Sequence, residues 1–398
     1  QARRLSRKNT YNDCMRDLSF RVLSRQLCQL EYHRVRLSNP ELRPPAGPTL
    51  YLGMHRNGAV DGYVYKSLFP KARFMISVQL RRSLIGRFFF DGIEVIRDRD
   101  SSDDKAADGN ENHAAIDACL GHLQRGGALF IMPEGTSDLG HRHLPFKKGA
   151  ARILAAALQA GIKPHVVPVG LHYERAWAWQ SDVEVVLGPR LDLDLPAESS
   201  GAAAVNQLQR RITSALEALT VAAPDGDSFA RRERIAYTGT LGTGRSYFSA
   251  LKALETDVPE AEEALLQFEQ MTAGHRLFTH QDVPLLPIRH AWAYALYALL
   301  LAPLVGVALL LNLLPLLAAW AAGKRFADAR NTITLWRLLV GFPVFFGLTA
   351  ATLIVAAASL RARFMAWSAQ HLPPEKAGRQ PRQLRARPGV APALARPA

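Results

Sequence analysis

His55-Arg56-Asn57-Gly58-Ala59-Val60-Asp61 follows an apolar run, Thr49 to Met54, and precedes apolar residues at helical spacing. A strand that delivers a histidine at its end and then turns into a helix is the start of an α/β layout, in which polar groups gather at strand ends. The spacing sets a condition. Five residues separate His55 from Asp61, and on one continuous helix they would stand roughly 240° apart, at about 100° per residue. The side chains meet only if the strand ends at His55 and the helix starts near Gly58, whose missing side chain permits an irregular backbone. Asn57 is then placed to cap that helix. The plain alternative is a capped helix with a surface aspartate and a histidine that merely closes a strand.

Three further blocks follow in order: Gly92-Ile93-Glu94-Val95-Ile96-Arg97, Pro133-Glu134-Gly135-Thr136-Ser137 and Val166-Val167-Pro168-Val169-Gly170. The first and the last read as apolar strands that deliver a polar or rigid residue. A histidine beside a carboxylate can take a proton from a hydroxyl while the carboxylate fixes its tautomer and stabilises the imidazolium. A Glu-Gly-Thr turn can hold an oxygen-rich substrate, with Gly135 leaving room for close approach. The pairing of base and cradle points to acyl transfer to a hydroxyl.

The ordered set resembles the glycerol-3-phosphate and lysophosphatidate acyltransferase family, over roughly Tyr32 to Leu193. The resemblance implies that His55 and Asp61 are the catalytic pair, with Asp61 orienting the imidazole. It implies that Arg97, Glu134, Gly135 and Thr136 bind the acceptor's glycerophosphate, and it matches Pro168 to the family's fourth block. It also implies an acyl-CoA or acyl carrier protein as donor, with no other cofactor and no metal. Two departures bear on the substrate. The commonest family pattern has four residues between histidine and aspartate rather than five, which is similar to the glycerol-3-phosphate acyltransferase-like branch. Ser137-Asp138 stands where many lysophosphatidate acyltransferases have Arg-Ser. Both favour glycerol-3-phosphate over lysophosphatidate as acceptor.

Read without the family, Arg97 ends an apolar strand, where a guanidinium binds phosphate in bidentate fashion. Lys147 and Lys148 open a helix and add charge beside an N-terminus suited to anions; a solvated surface role is the alternative for all three. Glu134 has no neighbouring cation in sequence and would be costly to bury unpaired. Pro168 either shapes a pocket wall or makes a structural turn. A covalent route through Ser137 or Thr136 lacks the GxSxG elbow.

The chain has 398 residues and a net charge of +14, ample for a buried core. No basic run is interleaved with aromatics, which disfavours a nucleic-acid partner, whereas basic residues near a bilayer attract anionic headgroups. The three cysteines are widely separated and form neither a disulfide framework nor a zinc motif. The start is basic, runs into no apolar core of signal-peptide length and carries no initiator methionine.

Strands are expected near Arg73 to Val78, Ile93 to Arg97, Ala128 to Met132, His165 to Leu171 and Val183 to Leu187. Helices are expected at Gly58 to Phe69, Glu111 to Gln124, Ala150 to Ala160 and Ala203 to Leu219. The fold class is α/β: a largely parallel or mixed sheet flanked by helices, followed by a C-terminal membrane helix pair. Residues 1–31 form a basic helical lead-in, 32–222 the catalytic domain, 223–288 a helical connecting region, 289–363 a membrane hairpin and 364–398 a disordered basic tail. The polar stretch Asp98 to Asn112 reads as a mobile surface loop that could also fold over substrate.

Ala291 to Ala322 and Leu338 to Ala358 each reach the roughly 20 residues that cross a bilayer core; a buried helix pair is the alternative. The leading expectation is a membrane-bound acyltransferase whose catalytic domain faces the cytoplasm, with membrane lipids, the acyl donor and a phosphate-bearing glycerol as partners. The rivals are a catalytically silent lipid-binding scaffold and an acyltransferase for a non-phosphate lipid.

Overall fold

The computed structural model describes residues 2–82, 84–95, 109–194, 201–256, 259–272, 279–280, 283–284 and 291–371. Two compact units divide the chain, Gln1–Phe342 and Pro343–Ala398.

In the first unit α1 (Ala2–Glu31) runs into β1 (Tyr32–Ser38). An alternating series follows: β2 (Thr49–Gly53), α2 (Val60–Leu68), β3 (Ala72–Ser77), α3 (Leu84–Phe89), β4 (Ile93–Val95), α4 (Gly109–Gln124), β5 (Ala128–Ile131), α5 (Gly149–Gln159), β6 (His165–Tyr173), β7 (Ser181–Leu187) and α6 (Gly201–Glu217). The strands make one seven-stranded sheet in the order β1-β7-β6-β2-β5-β3-β4. Only the β6–β7 pair within it is antiparallel, so the sheet is mixed, as expected.

The central strands β2 and β5 bury Leu50, Leu52, Leu129, Phe130 and Ile131, which is why they read as unbroken apolar runs rather than alternations. Helix α6 buries Ala204, Leu208, Ile212 and Leu216, a stripe repeating every fourth residue. Phe130 gathers Tyr65 at 4.2 Å and Phe74 at 5.0 Å between ring centroids. The Tyr65 hydroxyl donates to Met54 O at 2.8 Å, which ties α2 to the end of β2. On α1, Phe20, Leu23 and Leu27 are buried, and Lys66 Nζ reaches Asp17 at 2.7 Å. Cys28 and Cys119 are free and buried; burial pushes each thiol up to about 12, so neither is a reactive thiolate at neutral pH.

Pro168 lies within β6, paired with Leu52 on the β2 side. On the other side β7 ends at Leu187, opposite Val169, and Gly188 N–H donates to Pro168 O at 2.9 Å. The proline sits just past the end of β7, where a missing N–H costs no ladder bond.

The stretch that reads as a loop, Asp98 to Asn112, is helical from Gly109; its earlier part lies outside the described residues. After α6 come α7 (Gly226–Thr240), α8 (Tyr247–Ala253) and α9 (Pro259–Thr272), a short strand pair β8 (Thr279–His280) and β9 (Val283–Pro284), then α10 (Ala291–Leu311), α11 (Leu313–Arg325) and α12 (Ile333–His371). Phe229, Tyr237, Tyr247 and Leu251 form a separate small core beneath α7 and α8.

The first apolar segment is not one rod. Ala295–Leu311 and Leu313–Arg325 meet at 64°. The break falls at Asn312, whose side chain donates back to Ala308 O at 2.8 Å. Pro315 lies in the first turn of α11, where a missing N–H is tolerated, although in an unbroken helix it would leave a carbonyl unpaired.

The second unit contains the remainder of α12. The most apolar 18-residue window within Arg330–His371 has a mean hydropathy of 2.2 and is 11 % buried, and the helix is long and apolar enough to cross a membrane. The tail from residue 372, expected to be disordered, lies outside the described residues.

Candidate active site

The C-terminal ends of the neighbouring parallel strands β6, β2 and β5 lie together at one end of the sheet. Past Gly53 the chain leaves β2 and turns at Gly58, which has φ +57. A Cβ there would stand 2.8 Å from Asn331 O, so both the left-handed backbone and the close approach require glycine. Asp61 is the second residue of α2. The irregular turn between strand and helix removes the 240° offset, and His55 Nδ1 lies 2.8 Å from Asp61 Oδ2.

Asp61 is fully buried, while the His55 side chain keeps 12 % of its surface exposed. The carboxylate also accepts from Arg56 N at 2.6 Å, from Asn57 N at 2.8 Å and from the Tyr173 hydroxyl at 2.6 Å. Each hydrogen bond to a charged group is worth about 1.5–3 kcal/mol, and together they offset the cost of burying the charge. Since an ionised carboxylate only accepts, Nδ1 carries the hydrogen and Nε2 of the neutral ring is left as the basic nitrogen. Burial, with Asp61 beside it, holds the Tyr173 phenol well above its usual range, so it remains a donor.

Asn57 does not cap α2. The N-cap is Ala59, with no side-chain bond, and Asn57 Nδ2 instead donates to Tyr32 Oη at 3.1 Å and Ala176 O at 2.8 Å. The Asp61 carboxylate has taken the backbone N–H groups of the turn, which leaves the asparagine to brace the loop against β1 and the segment after β6.

Glu134 follows β5 and is almost wholly buried. Its Oε2 accepts from His55 N at 3.2 Å, while Oε1 is buried without a partner. Burial pushes its carboxyl up to about 8, against the pull of the Arg56 guanidinium and the His55 N–H. Near neutral pH it is largely a neutral acid able to donate as well as accept. Gly135, at φ +70, turns the chain, and a Cβ there would stand 3.3 Å from Lys147 Cδ. Lys147 therefore lies over the Glu-Gly-Thr turn, whereas Lys148 points away and donates to Asn206 on α6 at 2.9 Å. Thr136 is half-buried beside them.

The geometry thus brings together His55, Asp61, Glu134, Gly135 and Lys147 and separates Lys148 from them. Pro168 lies back within the sheet. Arg97 falls outside the described residues.

Two contributors were missed by sequence reasoning. Tyr173 ends β6, two residues beyond the expected end of that strand. Asn331 lies just before α12 and donates to Ser137 O at 3.0 Å and Ser137 Oγ at 2.9 Å. Nearby, Thr334 donates to Ala176 O at 3.1 Å. A continued apolar run through Leu171-His172-Tyr173 was the available signal for the first; nothing local marks the second.

Residues 34–172 match the Acyltransferase family. In sequence the chain is similar to glycerol-3-phosphate O-acyltransferase 2 of Saccharomyces cerevisiae, 31% identical over 130 residues, which is 31% of this chain and 18% of that protein. The chain thus matches less than a fifth of the length of that relative. Among solved structures it aligns with the 1-acyl-sn-glycerophosphate (LPA) acyltransferase PlsC of Thermotoga maritima at 17% identity and a TM-score of 0.33, over 47% of this chain and 72% of that one.

Proposed function

We propose, from the premise that the chain belongs to the acyltransferase family through residues 34–172, that it transfers a fatty acyl group from a thioester donor to the hydroxyl of a phosphate-bearing glycerol. The observation that carries this reading is the buried Asp61 carboxylate, which binds His55 Nδ1 at 2.8 Å while three further donors hold it in place.

In this mechanism His55 Nε2 removes the proton of the acceptor hydroxyl as its oxygen attacks the thioester carbonyl carbon. Asp61 stabilises the imidazolium that forms. The tetrahedral intermediate collapses with cleavage of the C–S bond, and the imidazolium returns its proton to the departing thiolate. Glu134 and Gly135 shape the acceptor's seat, with Lys147, Thr136 and Arg97 as further binding groups; Glu134 Oε1 is available to a substrate hydroxyl. Lys148 and Pro168 contribute through the frame rather than by touching substrate.

Acyl-CoA or acyl carrier protein is the donor. Glycerol-3-phosphate is favoured over lysophosphatidate, on the longer His-to-Asp spacing and the absence of an arginine after Thr136. The apolar stretch within Arg330–His371 supports membrane attachment, and a catalytic domain on the cytoplasmic side meets cytosolic acyl donors.

Incubation of the purified protein with labelled acyl-CoA or acyl carrier protein and a panel of acceptors, including non-phosphate lipids, tests this. Labelled product is expected with glycerol-3-phosphate first and lysophosphatidate second. Label transfer to neither would overturn the assignment, and exclusive transfer to a non-phosphate lipid would replace the acceptor class.

A further inference from the structure

A cavity of about 240 Å³ adjoins the His55 loop. The end of β6 forms one wall and α7 with α8 another, while Arg56 and Arg330 line it from two other segments. It shares no residue with the Glu134-Gly135-Thr136 turn.

Its polar groups are unevenly satisfied. Arg56 spends one N–H on Gly140 O at 2.9 Å, and Arg330 lies over the Trp177 ring at 5.0 Å. Among the described residues neither forms an ion pair. Glu233 also faces the cavity, but burial raises its carboxyl to about 7 against the combined pull of Arg56, Arg175 and Arg330. His172 is neutral, since burial pushes it down to about 3, and its Nε2 is engaged with Leu219 O at 3.0 Å. Tyr247 is 5 % exposed, and its hydroxyl is buried with no hydrogen-bond partner. A buried donor without a partner is costly, and a ligand that accepts from it recovers that loss.

Two guanidiniums that form no direct ion pair among the described residues, and a hydroxyl without a hydrogen-bond partner, line one cavity and together outnumber its single carboxyl, Glu233, which suits an anion with several acceptor oxygens. Guanidinium forks match phosphate oxygens in particular. The volume is below the roughly 300–1,000 Å³ of pockets that enclose drug-sized ligands, which suits a phosphate on a small fragment and excludes an entire CoA.

We infer that this cavity binds a phosphate monoester through Arg56, Arg330 and the Tyr247 hydroxyl. The inference rests on the acyltransferase reading only for the identity of the ester, because soluble glycerol phosphate and a lysophosphatidate headgroup present the same group. Since Arg56 N also donates to Asp61 at 2.6 Å, a ligand that fixes the Arg56 side chain steadies the residue next to His55.

The test uses the full chain in detergent micelles, titrated with inorganic phosphate and with glycerol 3-phosphate by calorimetry and ³¹P NMR. A second arm uses phosphatidylcholine vesicles doped with lysophosphatidate. Arg330→Ala is expected to weaken binding about tenfold or more, and Tyr247→Phe, which keeps the ring in its packing, about three- to tenfold. Should Arg330→Ala fail to fold, Arg330→Lys and Tyr247→Phe carry the same comparison. Arginine-dependent binding of the soluble ester alone supports an acceptor site, and of the lipid alone a headgroup site. Unchanged affinity in the variants, or no phosphate binding by the wild type, overturns the inference. Arg330-dependent binding without any acyl transfer by the wild type would sustain this site while rejecting the acyltransferase reading. Acyl transfer with variant-insensitive binding would do the reverse.

Discussion

The Tyr173 hydroxyl donates to Asp61 at 2.6 Å, and the same carboxylate holds His55 Nδ1 at 2.8 Å. The end of β6 thereby anchors the carboxylate that holds the imidazole at the end of β2. Tyr173→Phe removes that one bond and leaves the ring packed at a tilt against Tyr32, whose centroid is 5.7 Å away. It is expected to lower stability by about 1–3 kcal/mol and to reduce kcat about tenfold, with KM for the acceptor little changed. A kcat equal to wild type in steady-state assays would show that Asp61 needs no support from β6.

Glu134 makes stability depend on pH. Its folded carboxyl titrates at about 8 against an ordinary value of 4.5, so the native state holds a proton that the unfolded state releases. The contribution is full below the unfolded value and is lost as pH rises through the folded one. Glu31 and Glu174, each pushed up to about 7 by burial, act in the same direction. Stability is expected to fall between pH 5 and 8, and Glu134→Gln to remove up to about 1.4 kcal/mol per pH unit of that slope. Chemical denaturation at a series of pH values measures it; identical slopes for variant and wild type would contradict the assignment.

The alternating strands and helices were legible because buried parallel strands and amphipathic helices leave period and length in the sequence. The His55–Asp61 contact was legible only as a condition, that a turn must intervene, and Gly58 with φ +57 meets it. The role of Asn57 was not, because capping is a local preference that yields when another side chain already occupies the backbone donors. Asn331 was invisible for a different reason. Its partner Ser137 is 194 positions away, and a single asparagine before an apolar helix carries no sign of where it folds back. The 64° break at Asn312 was marked by Asn312 and Pro315, but an apolar count alone smooths over them.

Asn331 ties the foot of α12 to the turn after β5 that carries Glu134. Asn331→Ala removes both bonds to Ser137 and is expected to destabilise the protein by about 1–3 kcal/mol and to lower activity. Deletion from residue 288 onward should do more, since Thr334 and Arg337, which donates to Trp177 O at 2.8 Å, leave with it. Thermal unfolding of the deleted chain at the wild-type temperature would show that the foot is dispensable.

Membrane attachment through α12 is tested within its apolar part. Leu353→Arg together with Val355→Arg places two charges where each costs about 2.5–3.5 kcal/mol at a bilayer centre. The wild type is expected to stay with membranes through high-salt and carbonate washes and the double variant to be released. Equal retention would move the anchor elsewhere in the chain.

The most direct test of the central claim is the rate of labelled acyl transfer to glycerol-3-phosphate by purified wild type and by His55→Ala, with folding of both verified by circular dichroism. General-base chemistry at His55 predicts a loss of about 10²–10⁴-fold in a variant that still folds and still binds acceptor. A folded variant that transfers acyl groups at the wild-type rate would contradict it.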